Sequence, residues 1–292
     1  MSALIEQSPS ADRLLDTLCQ HLISLSWIDS GKESSDPGSS DDLKAFSVSA
    51  FVISVRNIWF LVTAGHIIND IESRRQNGRK IISARLIDGI GSSKSFPSIP
   101  FDLDNCHCWS IYEQGLDYAL IPLLPLYTKQ LIAGGVQALD EGAWREVPND
   151  LNGYFLIGFP TQVQTIRIDG NGQSGIVNVE LNTPLLQVFP VYDPPEELKK
   201  VNDRFYAKVP VIQGEAGGRH SMLTDIDGMS GGPLFGVKQV DDQRVQYWLL
   251  GVQSGWLPKK RILAASKIEP LVDALNACIA KCEIEEATSK SM

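Results

Sequence analysis

The sequence has little of what a membrane-spanning or disulfide-held protein needs. It contains no uninterrupted apolar run of about 18 residues, so we expect no helical membrane span. Charged residues at Glu6, Asp12 and Arg13 stand where a signal peptide would need an unbroken apolar core. The cysteines number five, an odd count that fits free thiols in a reducing compartment. We therefore expect a cytoplasmic protein.

Positively charged residues are fewer than negatively charged ones. The chain has 26 Lys and Arg against 35 Asp and Glu, a net charge of −9. Such a chain lacks the broad basic surface that holds phosphate backbones, so nucleic acid is not expected as its main partner. Hydrophobic residues make up 43% of the 292 residues, which is enough for a globular core, and the length permits one large domain or two smaller ones.

Helical patterns occur only near the two ends. Residues 11–28 carry an apolar stripe at helical spacing, formed by Leu14, Leu15, Leu18, Leu22 and Leu25. Residues 29–42 are rich in Ser, Gly and Asp and predict a flexible linker. Residues 1–42 would thus form a separate N-terminal helix and linker. Apolar spacing over residues 268–282 predicts a C-terminal helix, and residues 284–292 are predicted to be a disordered tail.

The sequence between these helices has the texture of a β protein. Short runs rich in Val, Ile and aromatic residues alternate with turn residues, at 46–55, 58–65, 80–87, 118–124, 153–159, 164–168, 175–181, 185–191 and 247–256. Many short strands with few helices between them predict an all-β sandwich or barrel.

One glycine-rich motif, Gly228-Met229-Ser230-Gly231-Gly232-Pro233, could carry chemistry. A serine hydroxyl becomes a useful nucleophile only when a base removes its proton and donors stabilise the oxyanion. The flanking glycines permit a tight turn in which the amides of Gly228 and Ser230 converge on one point. The plainer interpretation is a surface turn, because Gly, Ser and Pro are also common turn formers.

Two further residues supply the other roles. His66 follows an apolar strand and two small residues, and an imidazole can accept a serine proton near neutral pH. Asp117 precedes another strand-like run, and a buried carboxylate there would hold the imidazole by its Nδ1 proton. Alone, His66 could be a structural histidine and Asp117 a solvated acid; with Ser230 they make a complementary set.

The order His, Asp, Ser within Thr-Ala-Gly-His, Asp-Tyr-Ala-Leu and Gly-Met-Ser-Gly-Gly-Pro resembles the trypsin/chymotrypsin family of serine peptidases, in the style of its disulfide-free bacterial-type members. The resemblance implies two six-stranded antiparallel β-barrels over residues 43–283, with a boundary near residues 135–150 and a helix at each end. It also implies a serine endopeptidase that acts on protein or peptide substrates and needs neither a metal nor an organic cofactor.

In that family the roles would fall as follows. His66, Asp117 and Ser230 would form the catalytic triad, and the amides of Gly228 and Ser230 the oxyanion hole. The strand residues Ser254, Gly255 and Trp256 would pair with the substrate backbone, although an ordinary core strand is the alternative.

Thr224, six residues before the nucleophile, would stand at the base of the specificity pocket. It is uncharged, which gives no support to a trypsin-like preference, although Asp225 or Asp227 could add negative charge nearby. Met229 stands where zymogen-activated relatives carry Asp, so that activation route is not expected.

Other interpretations stay open beside this one. The cluster Cys106-His107-Cys108 suggests a metal site, but its ligands are too close together for the usual zinc pattern. The same fold could serve as a non-catalytic or partner-activated peptide-binding module. Residues 1–42 could also recruit a regulatory partner or cover the cleft.

Overall fold

The structure, a computed structural model, describes most of the chain. The described residues are 4–6, 11–32, 43–88, 98–169, 176–181, 183–210, 212–216, 219–223, 225–241 and 244–290. Within them, no helix is long and apolar enough to cross a membrane. All five cysteines carry free thiols, and Cys19 is the buried one among them.

The N-terminal half is a seven-stranded antiparallel sheet. Its strands are β2 (Leu22–Lys32), β3 (Lys44–Val55), β4 (Ile58–Thr63), β5 (Arg79–Asp88), β6 (Ile99–Pro100), β7 (Trp109–Glu113) and β8 (Leu116–Pro122). Their order across the sheet is β6-β5-β2-β3-β4-β8-β7. Residues 22–29 of β2 and most residues of β3 are buried, so both faces of these two strands are covered.

The C-terminal half contains a closed barrel of six antiparallel strands. These are β9 (Gly153–Leu156), β12 (Leu186–Pro190), β13 (Arg204–Lys208), β16 (Pro233–Gln239), β17 (Arg244–Leu257) and β18 (Ile262–Lys267). The ring closes because β17 pairs with both β16 and β18. A short strand near the N-terminus, β1 (Leu4–Glu6), adds to β17 from outside the ring. Two hairpins stand apart: β10 (Thr165–Asp169) with β11 (Ile176–Glu180), and β14 (Ile212–Ala216) with β15 (Arg219–Leu223).

Helices lie around the two sheets. They are α1 (Ala11–Cys19), α2 (Gly65–Gln76), α3 (Pro125–Ala133) and α4 (Ile268–Lys290), with 3₁₀ turns at Glu141–Ala143, Thr161–Val163 and Glu196–Leu198. The connection from β8 to β9 contains α3 and the first of these turns, and the predicted barrel boundary at residues 135–150 falls inside it.

The described pairings confirm the predicted β architecture for one barrel only. In the N-terminal half, the outer strands β6 and β7 are not paired with each other among the described residues. The strand β6 has two residues, one of which is a proline without an N–H to donate, so it cannot extend a ladder far. The family resemblance implied six strands in this half, and the structure describes seven.

The predicted helix over residues 11–28 is wrong beyond Cys19. The chain turns at Gln20–His21, and Leu22–Lys32 then forms β2, which pairs with β3 and β5. Residues 22–29 are all buried, and the run Ile23-Ser24-Leu25-Ser26-Trp27 alternates apolar and polar residues with the period of a strand. The leucines at 22 and 25 then matched helical spacing by chance.

The prediction of a separate N-terminal segment fails for the same reason. Asp29, expected in a solvated linker, is fully buried, where the Arg74 and Arg79 guanidinium groups bind its carboxylate. Leu14 and Leu18 of α1 lie in the core that the two halves share. Residues 33–42 of the predicted linker lie outside the described residues. At the other end, α4 runs to Lys290, so the predicted disordered tail is helical over residues 284–290.

His21 ties the N-terminal segment to both halves. Its ring Nδ1 lies 2.7 Å from the Gln137 carbonyl, which can only accept, so Nδ1 carries the proton. Nε2 then accepts from the Tyr247 hydroxyl on β17, at 2.8 Å. Burial lowers the pKa of His21 from 6.5 to about 4, against the opposing effects of the Gln137 carbonyl and of Asp140.

This histidine should make the fold acid-sensitive. Between pH 6.5 and about 4 the unfolded chain binds a proton at His21 and the folded chain does not, so stability falls as the pH falls. We expect a loss on the order of 2–3 kcal/mol from this residue. Urea unfolding of the wild type and of His21→Gln at pH 7 and pH 4.5 measures it. An equal decline in both proteins would contradict the assignment.

Candidate active site

Strand register brings His66 and Asp117 together. The strand β4 pairs with β8 so that Thr63 lies opposite Ala119. The chain then enters α2, whose second residue is His66, while Asp117 lies two residues before Ala119. The Asp117 carboxylate accepts from the His66 backbone N–H at 2.9 Å and meets the ring Nδ1 at 2.7 Å. Two residues 51 positions apart are thus joined by two hydrogen bonds.

These bonds define the state of the His66 ring. A carboxylate oxygen accepts, so Nδ1 carries a proton, and in the neutral ring Nε2 is then the nitrogen that can accept. The Asp117 side chain is 4% exposed and the His66 side chain 34%. One nitrogen is therefore held in the interior while the other side of the ring reaches the surface. The Tyr112 ring, opposite Asp117 on β7, lies 5.8 Å from the His66 ring and covers one of its sides.

The loop that carries Ser230 packs against the start of α2. Gly231 has a φ of +87°, and a Cβ there would stand 2.2 Å from Thr63 Oγ1 and 3.0 Å from the Ala64 nitrogen. Ser230 thus lies one residue from a group that touches the segment leading into His66. Among the described residues, no hydrogen bond joins the Ser230 hydroxyl to the His66 ring. The structure brings the two segments together without a hydrogen bond between Ser230 and His66.

Two amides of this loop have no acceptor among the residues that the structure describes. The amides of Met229, Gly231 and Gly232 donate to the carbonyls of Ile226, Gln253 and Met229. Gly228 and Ser230, by contrast, donate to no group in the described part of the chain. These are the two amides predicted from the sequence to form the oxyanion hole.

Backbone bonds fix the direction of both free amides. The Asp227 carbonyl accepts from the Thr161 amide at 2.7 Å, and the Met229 carbonyl accepts from the Gly232 amide at 2.8 Å. In a trans peptide the N–H points opposite to the preceding C=O. The Gly228 N–H therefore points away from Thr161, and the Ser230 N–H away from Gly232. At Gly228, φ is +89° and a Cβ would stand 2.6 Å from Thr161 Oγ1, so a glycine is needed.

Ser49, on β3, connects the two halves beneath this loop. Its hydroxyl donates to the Gly228 carbonyl at 2.9 Å and accepts from the Phe159 amide at 2.8 Å. The residue is fully buried. Because each polar group satisfies the next without water, Ser49 sets the position of the Gly228–Met229 peptide relative to the N-terminal sheet.

The predicted substrate strand has an unpaired edge. The pairing of β17 with β16 ends at Val252, opposite Pro233. From Gly255 to Leu257 the strand pairs with β18 on one side, while no described strand pairs with the other side. An extended peptide could add to that edge. The alternative of an ordinary core strand does not describe Gly255 and Trp256, which are only partly buried.

Two acidic side chains near this edge, Asp225 and Asp227, were expected to add negative charge to a specificity pocket. The Trp256 indole N–H donates to Asp225 at 2.8 Å, and the same carboxylate oxygen accepts from the amides of Ile226 and Asp227. Asp225 is thus occupied by its own turn and by Trp256. Burial, followed by the charge of Asp225, raises the pKa of Asp227. Thr224 lies outside the described residues, so its predicted place in a specificity pocket stays a prediction.

The cysteine cluster has other contacts. Cys106 Sγ donates to the Leu103 carbonyl, and burial raises the pKa of both Cys106 and Cys108. In the described part of the chain, no group of three His, Cys, Asp or Glu side chains is placed to hold a metal ion.

No family model and no curated protein matches the sequence. Solved structures that are similar include tobacco etch virus protease, catalytically inactive and complexed with substrate, at 11% identity over 89% of this chain and 84% of that chain, with a TM-score of 0.39. A mutant of the same protease matches at 11% identity over 88% and 77% of the two chains, with a TM-score of 0.39. TM-scores this low do not establish a common fold, so the site rests on its own geometry.

Some residues of the site carry no signal in the sequence. Ser49 lies in a run of serines and apolar residues that predicts a strand but not a bond to a loop 179 positions away. Tyr112 is assigned to the site through its pairing with Asp117 and its ring contact with His66. A regular alternation over residues 109–122 could have placed Tyr112 beside Asp117, had the tight turn at Gln114–Gly115 been recognised.

Gly231 offers a test of the contact between the loop and α2. Gly231→Ala should destabilise the protein by roughly 3 kcal/mol or more, since the new methyl group meets backbone and the residue has a positive φ. Gly78→Ala is the matched control, because φ there is +76° and nothing lies within 4 Å of the added atom. Its cost should be about 1 kcal/mol. Equal losses in urea unfolding would show that the loop is not packed as described.

Proposed function

We propose that the protein is a serine endopeptidase of the chymotrypsin-like class. The observation that carries this proposal is the Asp117 carboxylate bound to both the ring and the backbone of His66. Beside it lies the Ser230 loop, in which the amides of Gly228 and Ser230 have no acceptor among the described residues. A purely structural histidine would not need an exposed ring nitrogen next to a serine loop. The closed barrel of the C-terminal half and the sheet of the N-terminal half, with the site at their junction, support the same class.

In the proposed mechanism each group has one role. Ser230 Oγ attacks the scissile carbonyl and passes its proton to His66 Nε2. Asp117 keeps the proton on Nδ1 and stabilises the imidazolium that forms. The amides of Gly228 and Ser230 donate to the oxyanion, and His66 then gives its proton to the leaving amine. Water hydrolyses the acyl-enzyme by the same route in reverse.

The missing contact between Ser230 and His66 favours a second candidate. A non-catalytic or partner-activated peptide-binding module would use the same free edge of β17 without forming that bond. Catalytic hydrogen bonds are often long in unliganded sites and tighten when substrate binds, so the open contact does not contradict the enzyme. A folded protein that ignores both an active-site probe and a peptide library would favour the binding module.

A regulatory role for residues 1–42 gains no support from the described residues. The helix α1 packs in the shared core, and β2 is a central strand of its sheet. Removing this segment would remove part of the fold.

A fluorophosphonate probe tests the nucleophile. Wild-type protein should be labelled at Ser230, and Ser230→Ala should lose the labelling while staying folded, because the probe reacts only with an activated serine hydroxyl. Ser73→Ala, at an exposed position on α2, should be labelled like the wild type. Undiminished labelling of Ser230→Ala would refute the assignment.

Ser49 tests the preparation of the oxyanion site. Ser49→Ala removes the bond that holds the Gly228 carbonyl, so peptide cleavage should lose about tenfold or more in kcat, with a smaller change in KM. Ser47→Ala is the matched control, since Ser47 lies on the same strand, is buried and bonds to Ser24. An equal loss in both variants would mean that Ser49 acts through the stability of the sheet.

A further inference from the structure

A basic pocket opens beside the proposed active site. It is a cavity of about 430 Å³ between the β12–β13 region and the end of β18, and its walls include Lys199, Lys200, Arg204 and Lys267. Tyr206 and Asp203 also line it. Four cations around one cavity contrast with the net charge of −9 on the whole chain.

Two of these cations have their charge compensated. The Lys267 amine binds the Asp203 carboxylate. Lys199 lies 3.2 Å from Glu196 and 3.7 Å from Asp193, both of which are largely exposed. The other two cations, Lys200 and Arg204, make no ion pair with any residue that the structure describes. The pocket therefore keeps positive charge after its internal pairs are counted.

Arg204 is the unusual member of the set. The residue is 8% exposed, and its Nε is buried without a hydrogen-bond partner. A buried guanidinium without a carboxylate in contact is costly, because its lost hydration is not replaced. Burial lowers the pKa of Arg204, and the nearby Tyr206 and Asp117 act in the other direction. An anion in the cavity would supply the compensation that the chain itself does not.

A chain of hydroxyl groups links Arg204 to the site. Its guanidinium donates to Ser254 Oγ on β17. Ser266 Oγ donates to the Gly115 carbonyl, so the contact between Ser254 and Ser266 must use the Ser254 proton. The chain of bonds ends two residues before Asp117.

The loop before Arg204 also lies on the turn that leads to Asp117. The Asn202 amide donates to the Gln114 carbonyl at 2.9 Å. Lys200 packs over Gly115, where a Cβ would stand 2.6 Å from the Lys200 Cβ. A peptide on the free edge of β17 would therefore pass close to Lys200 and Arg204.

We propose that this pocket binds an acidic side chain of the peptide substrate, Glu or Asp, through Arg204 and Lys200. That the bound peptide is a substrate depends on the proposed peptidase function. The binding of an acidic peptide is inferred from the geometry of the pocket alone. A carboxylate accepts from an arginine and a lysine at once, and such charge-assisted bonds are the stronger class of hydrogen bond.

Matched peptides provide the test. A fluorogenic library would carry Glu or Gln at one position at a time, so that size is kept and only charge changes. At one position near the scissile bond, the wild type should show a kcat/KM about tenfold higher for Glu than for Gln at low salt. The ratio should fall as salt is raised, because a partly exposed lysine contributes to it.

Variants assign the preference to the pocket. Lys200→Gln, at an exposed position, should fold normally and reduce the Glu-to-Gln ratio several-fold. Arg204→Gln should abolish the ratio, and Arg204→Lys should restore part of it. Lys208→Gln removes the same charge from an exposed position at the end of β13 and should leave the ratio unchanged. A preference that survives Lys200→Gln and Arg204→Gln, or equal cleavage of Glu and Gln peptides at every position, would overturn the proposal.

Binding separates this proposal from the peptidase assignment. Labelled Glu and Gln peptides would be titrated against Ser230→Ala and followed by fluorescence polarisation. Tighter binding of the Glu peptide without probe labelling of the wild type would contradict the peptidase assignment and support the acidic-side-chain pocket. Probe labelling together with equal binding of both peptides would support the peptidase assignment and overturn the acidic-side-chain pocket.

Discussion

The buried carboxylate of Asp117 holds His66 by its ring and by its backbone at once. Because both bonds end on one side chain, the start of α2 and the imidazole cannot turn independently. A carboxylate taken out of water loses much hydration free energy, and these two donors replace part of it. The arrangement depends on the register of β4 against β8, since a shift of one residue would turn Asp117 to the other face of the sheet.

Groups from both halves must meet for the proposed chemistry, and the junction is fixed by polar bonds as well as by packing. Ser49 joins the N-terminal sheet to the Gly228 carbonyl, and the Tyr118 hydroxyl donates to the Lys267 carbonyl at the end of the barrel. Gly231 lies against Thr63 without room for a methyl group. Such a junction fixes the positions of the Gly228 and Ser230 amides in advance of substrate binding. Dipoles that are already oriented in this way lower the activation barrier of a reaction.

The sequence predicts most of this architecture where local patterns are unambiguous. The strands were recognised by runs rich in Val, Ile and aromatic residues, whereas β2 was taken for helix because Leu22 and Leu25 continue the helical spacing of the leucines in α1. The helix α2 was missed since its apolar residues are few and it follows a strand directly. The three motifs with His66, Asp117 and Ser230 were found because each combines a polar residue with a strand end or a glycine turn. Ser49 and Arg204 were not, as their partners depend on long-range packing.

The buried charges of Arg204 and Asp117 lie near each other but do not form an ion pair among the described residues. A direct ion pair between them would take up carboxylate oxygens that His66 needs. The structure instead places Ser254 and Ser266 between the guanidinium and the turn before Asp117, and no ion pair joins the two charges among the described residues. Asp117 can then stabilise an imidazolium while Arg204 faces the cavity. The buried cation is thus available to a ligand because the buried anion already has its partner.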